Sequence, residues 1–405
     1  MTDVPLKHLC SLPPEYGLNI TPDRYRDEGV RLLRTSDIAT GGGVRDSGGV
    51  FLDAVDVPAE MLLRDGDLLF SRSGTLGRAL LYSRDQHGEA TFAGFLVRFR
   101  LRRGIDPRAI RYWSESSSFV GTVASQAIQS TISNFNADRY ANLAVPGWLV
   151  EHSVAIADYI DEETARIDNV ILAKRAQVQL LLARTESLVA ARLDPLVRTL
   201  GEVPLKSVAE LRFSNVDKKS YDGEKAVLLC NYTDVYYNRR IDGRITFMEA
   251  TASPSQVAQL TLRAGDVLLT KDSETAEDIA VAALVTADLP GVVLGYHLAL
   301  IRPRILDGSF LYWALQSRRV RDAFSLAASG VTRFGLRQDA VGRVPIPNVD
   351  ARTAASVVAE IERAVNGADL LTSRLDHQIG LLLERRQAII TAAVTGHADI
   401  PGVAA

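Results

Sequence analysis

LRDGDLLF, at residues 63–70, returns as LRAGDVLL at 262–269, 199 positions downstream. The same offset carries VPLK from 4–7 to 203–206 and Val145-Pro146 to Val344-Pro345. A second match, LLLARTESLV at 180–189 and LLLERRQAII at 381–390, is offset by 201. A period of domain length, far beyond a solenoid unit, reads as a tandem duplication over nearly all 405 residues. Two copies of one fold on one chain suit the reading of two separated half-targets better than the running of a single active site. Each unit, at about 200 residues, is long enough to bury its own core.

Hydrophobic content of 47% and charged content of 23% are ordinary for a globular chain. The two cysteines, Cys10 and Cys230, fall one in each half, with no disulfide framework or metal-ligand spacing. The expectation is two buried thiols in a reducing cytoplasm. The start, MTDVPLKHLC, has no apolar run of signal-peptide length. The longest clean apolar run, IAVAALV at 279–285, is far short of the roughly 20 residues of a membrane span. A soluble, cytoplasmic protein is therefore expected. The net charge of −3 hides a division. Residues 1–147 carry 17 basic and 17 acidic side chains and residues 202–347 carry 18 and 17, leaving 11 and 15 elsewhere. A nucleic-acid face would have to be a local cluster of cations.

Each half reads as a β-rich part followed by a helical part. Apolar runs bounded by turn residues recur at GDLLFSR (66–72), RALLYS (78–83) and FLVRFRLR (95–102). Their counterparts are AVLLCNYTDVYY (226–237), GDVLLTK (265–271) and HLALIRPR (297–304). Residues 95–100 alternate and predict a half-buried strand. One helix is expected after each β-rich part, from Tyr112 and from Tyr312.

Between Trp148 and Leu193 there is neither Pro nor Gly. Ile156, Ile160, Ile167, Ile171, Val178, Leu182, Val189 and Leu193 form a stripe stepping by four and seven, an 11-residue repeat. That spacing predicts a nearly straight helix, stopped at Pro195. A second helix is expected from Asp350, as N-cap, to Val394, with a stripe of Ile361, Val365, Leu371, Leu375, Ile379, Leu383, Ile390 and Val394 and an interruption at Asn366-Gly367. Rods this long need a partner, and the duplication supplies one. Pairing is expected through Ile160, Ile167, Ile171, Val178 and Leu182 of the first rod and Leu375, Ile379, Leu383 and Ile390 of the second. The predicted class is mixed α/β (α+β): similar globular domains at 1–147 and 202–347, long helices at 148–201 and 348–405 (the latter with a tail), and an internal pseudo-twofold built on an antiparallel helix pair.

LLLERRQAIITAAVTGHADI (381–400) resembles the C-terminal signature of the DNA specificity subunit of type I restriction–modification systems. IADYIDEETARID (156–168) is similar to the first conserved helix of that family, as are VPGW (145–148) and VPIP (344–347), each entering a long helix. The helix starts, 148–152 and 348–353, depart from the Pro-rich link and Gln usual there. The resemblance covers essentially the whole chain. It implies that each globular domain is a target-recognition domain reading one half of a bipartite double-stranded DNA sequence, with the paired helices as spacer. It implies no catalysis and no cofactor in this chain. The partners would be two methyltransferase subunits using S-adenosylmethionine on adenine and ATP- and Mg-dependent restriction/translocase subunits. Half-sites read on one face lie near one DNA turn apart, or a multiple. The length of a stiff spacer would therefore set the gap.

Several loops combine Gly with hydrogen-bonding side chains. SRSGTLGR (71–78) offers Arg72, Ser73, Thr75 and Arg78, and its counterpart TKDSETAED (270–278) offers Lys271 and Ser273 amid acidic residues. STISNFNADR (130–139) is mirrored by SGVTRFGLRQD (329–339). Phe135 and Phe334 are expected to anchor these loops, leaving Asn134 and Asn136, and Thr332, Arg333 and Arg337, to face outward. Asn pairs bidentately with adenine and Arg with guanine or phosphate. A basic–aromatic hairpin tip is expected at 236–240, with Arg239 and Arg240. Arg98, Arg100, Arg102 and Arg103 would line a groove or a solvated strand face. A plain β-turn with solvated charges is the bland alternative for 71–78 and its counterpart, and an exposed turn for 236–240.

An enzyme is the first rival reading. GxxxxGK[ST], HExxH, GxSxG and an Asn/Asp-Pro-Pro-aromatic motif are all absent from the sequence. GGGVRDSGG (41–49) lacks the strand-to-helix setting and the Lys of a nucleotide site. The second rival is an interaction scaffold without DNA specificity. A narrower alternative is a non-catalytic specificity subunit of another DNA-modification or phage-defence complex.

Overall fold

A computed structural model describes residues 2–39, 42–45, 48–128 and 134–403. The chain divides into two compact units: Met1–Arg175 with Leu375–Ala405, and Ala176–Arg374.

The first unit contains a four-stranded antiparallel sheet in the order Glu15–Tyr16, Leu96–Phe99, Leu68–Ser71, Ala79–Leu81. A three-stranded sheet places Val30–Leu33 between Val50–Leu52, antiparallel, and Ala90–Phe92, parallel. Val4–Pro5 pairs with Ala144–Val145. The second unit repeats the plan. Its larger sheet runs Ala209–Phe213, Leu298–Pro303, Val267–Thr270, Ala282–Val285, with Arg240–Ile241 added in parallel at the edge. Its smaller sheet runs Met248–Ala252, Lys225–Cys230, Val292–Leu294, and Glu202–Pro204 pairs with Pro345–Pro347. The duplication read from sequence is thus a duplication of topology.

The repeated LRxGD stretch explains itself locally. Gly66 and Gly265 both sit at φ +87°, a turn conformation that suits glycine. The next residue, Asp67 or Asp266, is buried. Its carboxylate accepts the backbone N–H three residues earlier, from Arg64 at 2.9 Å or Arg263 at 2.8 Å. It also accepts two bonds from an arginine on the neighbouring strand. Arg100 donates to Asp67 at 2.6 and 2.7 Å, and Arg302 to Asp266 at 2.8 and 2.7 Å. A fully bonded bidentate pair is what makes a buried carboxylate tolerable. The apolar run that follows is covered on both faces. Leu68 and Phe70 enter one core while Leu69 enters another. Val267 and Leu269 likewise separate from Leu268.

Several sequence expectations are corrected here. The 95–100 strand is not half-buried, because Leu96–Phe99 is buried on both faces between the same two cores. Arg98 therefore lines no groove and no solvated face: it turns inward to the Glu60 carbonyl at 2.9 Å and pairs with Glu15. Arg100 is taken by Asp67, and only Arg102 and Arg103 are exposed. AVLLCNYTDVYY is half strand and half helix, since Asn231 and Asp234 form a capping box that starts a helix at Tyr232–Tyr237. Its strand matches Val30–Leu33 in the smaller sheet. There is accordingly no hairpin tip at 236–240. Cys230 is buried but Cys10 is only half-buried.

The single helix expected after each β-rich part is two. Pro107–Glu115 is followed by Ser117–Ile128, and Gly308–Gln316 by Arg318–Ala327. Asp106 and Asp307 cap the first helix of each pair. Ser116 and Ser317 break the run in extended conformation, each hydroxyl donating at 2.7 Å to the carbonyl three residues back.

The long helices are Ser153–Leu200 and Ala351–Val394. A short Gly147–Glu151 helix precedes the first, separated from it by His152. Pro195 does not stop the first helix, which runs on and ends at Gly201 with φ +74°. A proline this near the C-terminal end forfeits one bond to Ala191 without breaking the remainder. Asn366-Gly367 brings no interruption, and Asp350 caps the second helix through Thr353 N–H at 2.7 Å.

In the first unit, Ile156, Ala157 and Ile160 share a core with Ile390, Ala393 and Val394. Ile167, Ile171 and Ile379 form a further small cluster with Leu382 and Ile389. Lys174 donates to Gln378 at 2.6 Å, and Arg386 reaches Glu115 at 2.9 Å and Asp168 at 3.2 Å. In the second unit, Val189 and Leu193 join a core with Ala354, Ile361 and Val365, and Arg192 meets Glu360 at 2.6 Å. Within the first unit the two helix segments run antiparallel, as Asp168–Arg386 and Lys174–Gln378 show. Two expected seam positions fail. Leu182 is 40% and Leu383 45% exposed, whereas Leu181 and Leu382 are half-buried. The seam steps by three and four, from Ile379 to Leu382 and on to Arg386 and Ile389, as left-handed helix pairs do. Val178 and Leu375 are half-buried.

Candidate nucleic-acid interface

In the first unit, the loop joining Leu68–Ser71 to Ala79–Leu81 is closed on itself. The Ser71 hydroxyl donates to the Thr75 carbonyl at 2.6 Å and accepts from Arg78 N–H at 3.1 Å. The Tyr140 hydroxyl, entirely buried, donates to the Ser71 carbonyl at 2.7 Å and accepts Gly77 N–H at 2.8 Å. Burial pushes that phenol well above its ordinary range, so it remains a donor. Arg78 folds back to the Ile38 carbonyl at 3.1 Å, while Thr75 is exposed and Ser73 half-buried.

Arg72 is held differently. Its N–H donates to the Phe95 carbonyl and its own carbonyl accepts Phe135 N–H, both at 3.0 Å. The guanidinium lies 4.6 Å from the Tyr16 ring centroid, and Nε points to Asn134 Oδ1 at 3.4 Å. Arg72 thus joins the two loops that the sequence singled out separately. Phe135 is the expected buried anchor. Asn134 is half-buried against Arg72. Asn136 is exposed, but its oxygen caps the Ala137–Ala141 helix through Arg139 N–H at 2.9 Å. Residues 130–133 of this loop, and Gly41, Asp46 and Ser47 of the glycine-rich stretch, lie outside the described residues.

The second unit brings its two loops together in the same way, as Asp272–Ser273 pairs with Phe334–Gly335. Lys271 N–H donates to the His297 carbonyl at 3.0 Å, and the Lys271 carbonyl accepts Leu336 N–H at 2.8 Å. Lys271 Nζ lies 4.8 Å from the Tyr296 centroid and 5.8 Å from that of Phe213. Unlike Arg72, which has none among the described residues, it has a carboxylate partner, Asp272 at 3.1 Å, which also meets His297 Nδ1 at 2.6 Å. Ser273 is buried. Thr332 and Arg333 are exposed, and Arg337 is exposed beside Asp339 at 3.6 Å. Phe334 is half-buried.

Arg239 and Arg240 are not brought to this loop pair. They face the second long helix, meeting Asp369 and Glu362, each at 3.1 Å. Sequence reading missed the aromatic members Tyr16, Phe213 and Tyr296, and also Phe95, which is 62% exposed on the turn that receives Arg72. Only the pairing of distant strands brings them to the loops. The available signal was an aromatic at the end of one edge strand in each repeat.

No family model matches the chain, and no curated relative matches it. Among solved structures, it is similar to a chain from a study of complex assembly and conformational transition of the type I R-M system, with 16% identity, 98% of each chain covered and a TM-score of 0.68. It also aligns with the HsdS subunit from Thermoanaerobacter tengcongensis, at 16% identity, over 98% of this chain and 97% of that one, with a TM-score of 0.47. The S subunit of a type I restriction–modification system from M. genitalium aligns at 14% identity over 100% and 96%, with a TM-score of 0.36. The first of these likenesses establishes that the chain has the fold of that type I R-M chain from end to end.

Proposed function

We propose that this chain is the DNA specificity subunit of a type I restriction–modification complex. Each unit reads one short half of a bipartite double-stranded target through its paired loops. The observation that carries this reading is the repetition, within one full-length fold of that kind, of two loops meeting around a cation seated on an aromatic ring. A basic and an aromatic group on a loop rim are the elements of base and phosphate contact. The chain contributes recognition and no chemistry. S-adenosylmethionine serves two methyltransferase subunits that this chain recruits, and ATP and Mg serve the restriction/translocase subunits. The complex acts on cytoplasmic DNA.

The test is to map methylated adenine in source cells with the gene intact and with it deleted. Loss of methylation at one bipartite motif on deletion is the expected result. A methylation pattern identical with and without the gene contradicts the reading.

A further inference from the structure

Position 72 and position 271 are the same place in the two repeats. Tyr16 pairs with Val97, two residues before Phe99, which pairs with Leu68 beside the buried Asp67. Phe213 pairs with Ala299, two residues before Ile301, which pairs with Val267 beside the buried Asp266. Tyr16 and Phe213 therefore occupy one register position. Each lies beside the cation that leaves the central strand four residues after Leu68 or Val267. Each cation is bonded through both its N–H and its carbonyl, at 2.8–3.0 Å, to the turn before the next strand and to the second loop. Backbone position and ring platform are retained while the cation differs.

The difference has a chemical consequence. Among the described residues Arg72 has no carboxylate partner, and its fork is engaged only by the 3.4 Å approach of Nε to Asn134. A guanidinium seated over a ring, with no partner for its terminal nitrogens among the described residues, matches the two acceptors on the major-groove edge of guanine. Lys271 is compact, its side chain is 13% exposed, and its charge is met by Asp272, which His297 shares. It lacks the rigid planar fork of a guanidinium, and its charge is already engaged.

We infer that Arg72 reads a guanine in the half-target of the first unit, with Tyr16 as the positioning residue that fixes the guanidinium plane, and that Lys271 makes no equivalent guanine contact in the second. This rests on the DNA-reading function proposed above. The unequal cations at one shared position make the two half-targets unequal at the corresponding base.

The test is selection of bound sequences from a randomised duplex DNA library by the full chain and by Arg72→Lys, Arg72→Gln, Tyr16→Leu and Tyr16→Phe. The wild type is expected to enrich two half-targets, one holding a guanine whose preference falls about 10- to 100-fold in both Arg72 variants. The other half-target stays unchanged and reports that the variant is folded. Tyr16→Leu weakens the same guanine preference, and Tyr16→Phe, which keeps the ring and loses only the hydroxyl that accepts Ala137 N–H at 3.0 Å, retains more of it than Tyr16→Leu. If the wild type enriches a bipartite motif and both Arg72 variants enrich the identical one, this inference is overturned while DNA reading stands. Unchanged guanine preference in Tyr16→Leu overturns the platform. No enrichment by the wild type overturns the function itself.

Discussion

The Tyr140 hydroxyl ties the two ends of the 71–78 loop together, donating to Ser71 at 2.7 Å and accepting from Gly77 at 2.8 Å. In the second unit Leu336 N–H bonds the Lys271 carbonyl as Phe135 N–H bonds that of Arg72, so the position matching Tyr140 is Val341, which is buried in the core and has no hydroxyl to make such a tie. Removing the hydroxyl leaves a carbonyl and an amide without their buried partner. Tyr140→Phe is expected to cost about 1–3 kcal/mol. It should also weaken DNA binding through the first half-target only. Urea unfolding and duplex binding measure the two effects. Unaltered stability would show that the loop is held by other bonds.

The paired Asp67–Arg100 and Asp266–Arg302 make a second prediction. Asp67 is fully buried and Arg100 17% exposed, so truncating the acid leaves a cation with nowhere to go. Asp67→Ala is expected to destabilise by about 3–5 kcal/mol, and Asp266→Ala by a similar amount. The double variant Asp67→Ala/Arg100→Met should be more stable than Asp67→Ala alone. A chemical-denaturation cycle checks the order, and a double variant no better than the single one would contradict the pairing argument.

Much of the fold is legible in the sequence. The LRxGD repeat marked the duplication, because a buried aspartate beside a turn glycine is too demanding an arrangement to recur by accident. The long apolar stripes marked the helices, because a period near 3.6 over forty residues has one structural meaning. The Arg98–Arg100 strand was misread because alternation in sequence does not reveal a second core on the far face. Leu182 and Leu383 were misplaced because steps of three and of four leave adjacent leucines, such as Leu181 and Leu182, equally plausible until the partner helix fixes the phase. Arg239 and Arg240 look free in sequence, since their partners Glu362 and Asp369 are more than a hundred residues away. The two loops of each candidate site were identified singly, and their meeting depends on strand pairing that local sequence does not encode.

Pro195 lies inside the first long helix, exposed, five residues before its end. A proline there removes one backbone donor and crowds the preceding turn. Pro195→Ala is therefore expected to raise stability, by about 1–3 kcal/mol. A thermal melt reads the change. A lowered melting temperature would mean that the ring makes packing contacts worth more than the lost bond.

The two thiols should be slow to react. Burial pushes the Cys10 thiol up to about 11 and the Cys230 thiol higher still. Unfolded thiols ionise near 8.5. Because the folded state holds its protons more tightly, the contribution to stability is complete below about pH 8.5 and declines as pH rises towards 11. Thiol-disulfide reagent at pH 8 should label the native chain far more slowly than the urea-unfolded chain. Equal rates would contradict the burial of Cys230 and the partial burial of Cys10.

On the proposed function, the duplicated fold gives one chain two reading heads. Selection of bound duplexes from a randomised library by the intact chain tests it most directly. Two short fixed half-targets separated by a run of arbitrary bases of constant length are expected. A single uninterrupted motif, or one half-target with the other side random, would contradict it.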